Sequence, residues 1–266
     1  MKLSRFWLWH VPAAVAGLAA LVFLAGFGLA LRGSLGEPLG GTPPSAASGN
    51  TPVKASGRGL LLVLGDSLAR GTGDETGKGF AADVLDNLKK KGPADMANLA
   101  VNGAESGDVL KVLDSENARR LAASADAILL SAGANDLTHA VPREAPTAAS
   151  ASPLEEIVAS RARYAGNLRQ ILSRLREANP RAPIYLLGLY DPFGDEGPQA
   201  RIGASVILSW NTLIAETALS FPRVFVVPTF DLFYGRPDRL AVDRFHPNSK
   251  GHQAIADRIV QLLPNT

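Results

Sequence analysis

Five short apolar runs, each separated from the next by stretches with helical apolar spacing, set the limits of what this chain can fold into. Leu60-Leu61-Leu62-Val63-Leu64 is the clearest run and reads as a buried strand. Met96–Val101, Ala127–Ser131, Ile184–Leu189 and Val224–Val227 are the other candidates. Between them, Phe80, Val84, Leu85 and Leu88 recur at helical spacing and end in Lys89-Lys90-Lys91-Gly92, a good C-terminal signal. A longer helix carries Leu154, Ile157, Tyr164, Leu168, Ile171, Leu172 and Leu175 and stops before Pro180. Two more are expected from about Ala204 to Leu219 and from Ser249 to Leu263. Strands alternating with helices make βα units and a parallel sheet. Right-handed crossovers then place helices on both faces, giving a three-layer α/β/α sandwich.

That pattern begins near Arg58, and the residues before it obey other rules. From Phe6 to Leu31 there is no acidic or basic side chain, and about 20 apolar residues suffice to cross a bilayer. Residues 1–32 are therefore expected to form a transmembrane anchor. Lys2 and Arg5 precede the run, which favours a cytoplasmic N-terminus and an outward-facing remainder. A cleaved signal peptide is the rival reading: Gly28-Leu29-Ala30 offers small residues, although the apolar run exceeds the ~7–15 residues of a signal core. Residues 33–57 are rich in Gly, Pro, Ser, Thr and Ala, too poor in large apolar groups to offset their ordering entropy, and read as a flexible linker. Residues 58–266 form the folded domain in this reading.

Composition removes several functional classes. The 266-residue chain has a formal net charge of +2 and no basic stripe with interleaved aromatics, so nucleic acid is not an expected partner. It has no cysteine, which excludes disulfides, thiol catalysis and thiolate metal sites. No His/Asp/Glu group has credible metal-ligand spacing, so no metal is expected.

Four short motifs follow strand ends or close the chain. Gly65-Asp66-Ser67-Leu68 comes directly after the first apolar run, and Asp243-Arg244-Phe245-His246-Pro247 lies near the C-terminus. A serine hydroxyl, an imidazole and a carboxylate are what nucleophilic acyl transfer needs: attack, proton removal, and control of the imidazole tautomer. Asp243 and His246 are three residues apart, so one short turn can present both. In Asn98-Leu99-Ala100-Val101-Asn102-Gly103, the glycine would let a backbone amide approach a ligand closely. Gly133-Ala134-Asn135-Asp136 follows the strand ending at Ser131. Asp66 and Asp136 are read as braces of their loops, because a further charge beside the nucleophile would oppose developing negative charge. His252 is expected to be an ordinary surface or packing residue, and His139 lies close enough to the Asn135 loop to line a cleft. The segments Pro142–Pro153 and Asp191–Gly203 follow strand ends and are expected to wall or cover that cleft.

With these four motifs in this order, the chain resembles the SGNH hydrolases, also called GDSL esterases and lipases, over nearly all of Arg58–Leu263. The resemblance implies a flavodoxin-like sandwich that cleaves carboxylic esters without metal or organic cofactor. It puts Ser67 at the nucleophile, Asp243 and His246 at the other triad positions, and Gly103 and Asn135 at the oxyanion hole. The backbone amides of Ser67 and Gly103 and the side-chain amide of Asn135 would then supply three donors to the developing oxyanion. The stretch Gly65–Asp74 looks like membrane-tethered bacterial members. The expected substrate is a small-molecule, lipid or glycan ester, with a lysophospholipid or other acyl lipid and an O-acetylated envelope glycan as the two candidates. A transacylase would use the same residues, and a ligand-binding module on the same fold is the non-catalytic alternative.

Overall fold

The computed structural model describes residues 58–140, 153–194 and 197–264, so the expected anchor, the linker and most of the Pro142–Pro153 segment lie outside the described residues. Strands β1 (Gly59–Gly65), β2 (Ala94–Asn98), β3 (Ala127–Ser131), β4 (Ile184–Leu187) and β5 (Val224–Val227) form one sheet. Every pairing is parallel and the order is β2-β1-β3-β4-β5. This is the flavodoxin-like order, in which ligands sit beyond the carboxyl ends of the strands at the point where the winding reverses.

The helices are α1 (Ser67–Arg70), α2 (Gly79–Lys89), α3 (Ser106–Asp114), α4 (Glu116–Ser124), α5 (Ala134–His139), α6 (Pro153–Ala178), α7 (Gly197–Leu219), α8 (Phe230–Phe233) and α9 (Ser249–Leu262). The pleat divides the sheet side chains between two cores. Leu60, Leu62, Leu64, Ile128, Leu130, Ile184 and Leu186 pack against α3, α4, α6 and α7. Leu61, Val63, Leu129, Tyr185 and Leu187 pack against α2 and α9 on the opposite face. The three layers expected from the sequence are thus present.

Boundaries differ where side chains take over backbone hydrogen bonding. β2 ends at Asn98, short of Val101, although Leu99 N and Val101 N still donate to Val63 O and Gly65 O of β1; Ala100 N between them goes to the Asn98 side-chain oxygen, and the Asn98 amide donates to Ala69 O. β4 ends at Leu187, short of Leu189, because the Asn211 amide satisfies both the N–H and the C=O of Leu189. α7 starts at Gly197, well before Ala204, so the second half of the expected 191–203 loop is helix. Ala200–Leu219 within α7 is the one described helix long and apolar enough to cross a membrane, yet its Ile207, Trp210 and Ile214 are buried in the core.

β1 and β3 approach each other very closely where Gly65 lies opposite Ser131. A Cβ at Gly65 would lie 1.9 Å from the Ser131 carbonyl oxygen, and Gly65 has φ +133°, so only glycine fits there. The next residue, Asp66, caps α1 by accepting from Leu68 N at 3.1 Å and accepts from Ser131 Oγ at 2.9 Å. It is buried, and burial outweighs these bonds and pushes its carboxyl up to about 6. The folded state therefore favours the proton on Asp66. That contribution is complete below the ordinary value near 3.8 and is lost as pH rises through about 6. Its full size is about 3 kcal/mol. Asp66→Asn keeps an acceptor oxygen and cannot ionise. Urea unfolding followed by circular dichroism should show this variant gaining stability on the wild type between pH ~4 and ~6 and a constant difference above. A difference independent of pH would place the Asp66 carboxyl at its ordinary value.

Candidate active site

The four motifs of the sequence converge at the carboxyl edge of the sheet. Ser67 is the first residue of α1, immediately beyond β1, and its hydroxyl lies 3.0 Å from His246 Nε2. His246 Nδ1 lies 2.6 Å from Asp243 Oδ2. The other carboxylate oxygen, Oδ1, accepts from the backbone N–H groups of Phe245 and His246, both at 2.9 Å. The chain thus wraps around the Asp243 carboxylate, with Arg244 in the left-handed region at φ 53° to complete the turn. Burial works to raise the Asp243 carboxyl, but the bonds from His246 and the two backbone amides outweigh it and hold it below the usual carboxylate range. A carboxylate only accepts, so the His246 proton belongs on Nδ1 and the Nε2 lone pair faces the serine hydroxyl. This is the arrangement a nucleophile, its base and the base's orienting group require.

The loop that carries His246 is fixed from several sides. Ala241 N donates to His246 O at 2.8 Å, and Leu240 and Pro247 form an antiparallel bridge. The Tyr190 hydroxyl, just beyond β4, donates to Phe245 O at 2.9 Å. Burial raises the Tyr190 phenol far above its ordinary value, so it remains a donor. Asn248 then caps α9 by accepting from Gly251 N.

Asn135 lies in the first turn of α5 and lines the cavity beside Ser67. Its Nδ2 donates to Ala104 O at 2.9 Å, which ties the β3 loop to the residue after Gly103. An amide nitrogen carries two hydrogens, so one remains for a ligand. Gly103 has φ +76°, and a Cβ there would meet nothing within 4 Å. Backbone conformation, not crowding, is what calls for glycine at this position.

Both braces read from the sequence are found. Asp66 joins the start of α1 to β3, as described above. The buried Asp136 accepts from both the N–H and the hydroxyl of Ser106 at the start of α3, while Ser160 Oγ donates to Asp136 O at 2.6 Å. Burial raises the Asp136 carboxyl against the opposing Ser106 bonds. His139 does not line the cavity; it pairs with Glu105 Oε1 at 2.7 Å, and Thr138 faces the cavity in its place. His252 is fully buried and, contrary to the expectation of an ordinary packing or surface residue, both ring nitrogens are engaged: Nδ1 by Phe80 N and Nε2 by Thr72 O. No motif marked it, because its partners are backbone atoms far away in sequence.

A cavity of about 410 Å³ opens beside Ser67. Leu137, Ile157, Leu189, Tyr190, Phe193 and Val206 are among the apolar residues of its wall, and Ser67, Asn135 and Thr138 are among its polar lining residues. The segment after β4 walls it as the sequence suggested, through Pro192, Phe193, Ile202 and Gly203, although part of that wall is helix α7. Such a site, concave and apolar with a few convergent polar groups, suits an apolar ligand carrying one polar reacting group.

The profile of the GDSL-like lipase/acylhydrolase family matches residues 63–254. The chain is 28% identical over 199 residues to the uncharacterized protein YpmR of Bacillus subtilis (strain 168), which covers 73% of this chain and 76% of YpmR. It is 27% identical over 161 residues to the spore germination lipase LipC of Bacillus licheniformis, covering 60% of this chain and 74% of LipC. Among solved structures, the lipase Lip_vut3 from a goat rumen metagenome superposes with a TM-score of 0.65 at 23% identity, covering 76% of this chain and 96% of that one. The chain belongs to the GDSL-like lipase/acylhydrolase family and is a carboxylic ester hydrolase.

Proposed function

We propose that this protein is an extracytoplasmic serine hydrolase of acyl-lipid esters, working through an acyl-enzyme on Ser67. The carrying observation is the aligned set Ser67 Oγ, His246 Nε2 and Asp243, with 3.0 and 2.6 Å separations, opening onto a cavity of apolar walls. In this reading His246 takes the Ser67 proton as the hydroxyl attacks the acyl carbonyl, then returns it to the leaving alcohol. Water, activated by the same imidazole, releases the acid. Asp243 holds the ring and stabilises its charged form. Ser67 N, Gly103 N and the remaining Asn135 amide hydrogen are the donors assigned to the oxyanion. A non-catalytic binding module has no use for a base aligned on a hydroxyl.

The uncharged Phe6–Leu31 run and the Gly/Pro-rich segment after it support a membrane-tethered domain outside the cytoplasm, close to lipid substrates. Of the two substrate candidates, the cavity favours the acyl lipid over the O-acetylated glycan. An acetyl group would leave most of about 410 Å³ of apolar space unfilled. The lipase among the relatives points the same way.

Two experiments test this reading. Ser67→Ala should lose esterase activity by several orders of magnitude and escape labelling by a fluorophosphonate. Asn135→Ala should lower kcat by ~10²–10³, about 2.7–4 kcal/mol, because its donor strengthens as the oxyanion forms. KM should stay within a few-fold of wild type. Asn135→Asp should be at least as damaging, since it sets a negative charge beside the oxyanion; wild-type kcat in that variant would remove Asn135 from the site.

The second experiment is a series of p-nitrophenyl esters of rising chain length. Each methylene buried in an apolar wall contributes ~0.8 kcal/mol, up to about fourfold in kcat/KM. Octanoate should therefore exceed acetate by at least about tenfold. Gly203 faces the Phe193 ring, which a Cβ would approach to 3.0 Å, so Gly203→Leu should push that ring into the cavity. Its loss should be much larger on octanoate than on acetate. Acetate as the best substrate would turn the assignment to the O-acetylated glycan.

A further inference from the structure

Between α1 and α2 the chain makes a loop whose two ends touch: a Cβ at Gly79 would lie 2.5 Å from Gly71 Cα. The residues just inside this neck connect the two reacting groups. Thr72 N donates to Ser67 O at 3.0 Å. At the next residue, Gly73, a Cβ would stand 2.7 Å from His246 Cβ and 2.4 Å from Pro247 O. Gly73 has φ +92°, so both its conformation and its surroundings demand glycine. Thr72-Gly73 is thus a spacer with the serine backbone bonded on one side and His246 Cβ and Pro247 O pressed against the other.

The imidazole of His252, reaching in from α9, closes this loop at its base. Its Nε2 lies 3.1 Å from Thr72 O at the near end, and its Nδ1 accepts from Phe80 N at 3.2 Å at the far end. The ring lies almost parallel to Phe80, with an interplanar angle of 12° and centroids 6.0 Å apart. A carbonyl only accepts and a backbone N–H only donates, so these partners allow one state: neutral, with the proton on Nε2. Burial lowers the His252 pKa against the opposing effects of the Thr72 bond, Asp74 and Asp83, while His246 lowers it further, which suits that state. Plain packing would call for an apolar ring here, because a buried imidazole needs both nitrogens satisfied.

We propose that His252 is a positioning residue for ester cleavage: anchored on α9, it holds Thr72 O through its Nε2–H, so that the Thr72-Gly73 spacer sets the Ser67–His246 separation. The proposal rests on the reading of Ser67 and His246 as nucleophile and base. Placement errors near 1 Å cost up to about 10² in rate, so the effect belongs in kcat.

The test uses the full-length chain in detergent with p-nitrophenyl butyrate and three substitutions. His252→Phe removes both hydrogen bonds. His252→Asn can reach only the Phe80 side, and His252→Gln can place an amide N–H at the level of Nε2, toward Thr72 O. His252→Phe and His252→Asn should lose about tenfold to hundredfold in kcat, with KM within about threefold of wild type. His252→Gln should restore kcat to within about threefold of wild type, which a residue that merely fills space would not do. Wild-type kcat in His252→Phe, or equal losses in His252→Asn and His252→Gln at wild-type melting temperature, would overturn the proposal. If His252→Phe fails to fold, the asparagine–glutamine pair decides alone. Ser67→Ala in the same assay separates the two readings, since activity remaining in that variant removes the nucleophile assignment itself.

Discussion

Two-sided burial of the β1–β3 pair is the constraint on which the rest of this structure depends. Leu61 to Leu64 and Ile128 to Leu130 are at most 1% exposed, so neither face of the sheet centre can meet water. A strand pair of this kind must be covered by helices above and below, and parallel connections supply them. Parallel winding in turn sends every strand out at the same edge. The Ser67 loop, the Gly103 loop and the Asn135 turn therefore meet without any strand having to bend toward the others. The site is a consequence of how the core is covered, and its exact spacing depends on the closeness of β1 and β3 at Gly65.

The motifs and the strands were legible because their signals are local. Leu60–Leu64, Ala127–Ser131 and Val224–Val227 are short apolar runs, and the triad motifs stand directly at sequence features that a parallel sheet exposes. α3, α4 and α5 were not legible. α4 buries Ala118, Leu121 and Ala122, so its inward face carries a single large apolar residue, and α5 is only a turn and a half that buries Asp136 and Leu137. Their existence depends on neighbours such as α6, not on their own periodicity. The strand ends moved for a related reason: side-chain bonds from Asn98 to Ala100 N and from Asn211 to both backbone groups of Leu189 appear there, which no alternation pattern records. Residues such as Tyr190 and His252 are further from view, since each acts on a backbone atom contributed by a distant segment.

Buried acids flank Ser67 and Asn135, and their arrangement suits the division of structural and chemical duties in the proposed mechanism. Asp66 adjoins Ser67 and Asp136 adjoins Asn135, yet burial pushes both carboxyls upward, and hydroxyl partners from Ser131 and Ser106 satisfy them. Asp243 moves the other way because two backbone amides and the imidazole all donate to it. The charge that the proposed mechanism needs beside an imidazolium is thus kept at Asp243, and the acids next to Ser67 and Asn135 are held closer to neutrality. Like charge near a developing oxyanion would raise the barrier that the donors lower.

The same logic applies to the groups that hold the chain at Phe245, Pro247 and Gly73, which are uncharged, while the Glu75 carboxylate acts further on, at Ser249. The loop is held by the Tyr190 hydroxyl on Phe245 O, by its own bridge between Leu240 and Pro247, and by Gly73, which follows the Thr72 bonded to His252. A lysine or arginine in any of these places would compete for Asp243 or disfavour the imidazolium that the proposed mechanism requires. Neutral donors fix geometry without entering that electrostatic balance. They also cost little on burial because each is paired with a backbone group that needs a partner anyway. Precision at Ser67 and His246 is in this way drawn from the satisfaction of backbone hydrogen bonds in the surrounding loops. A site of this design tolerates few changes in those loops even where they carry no chemistry.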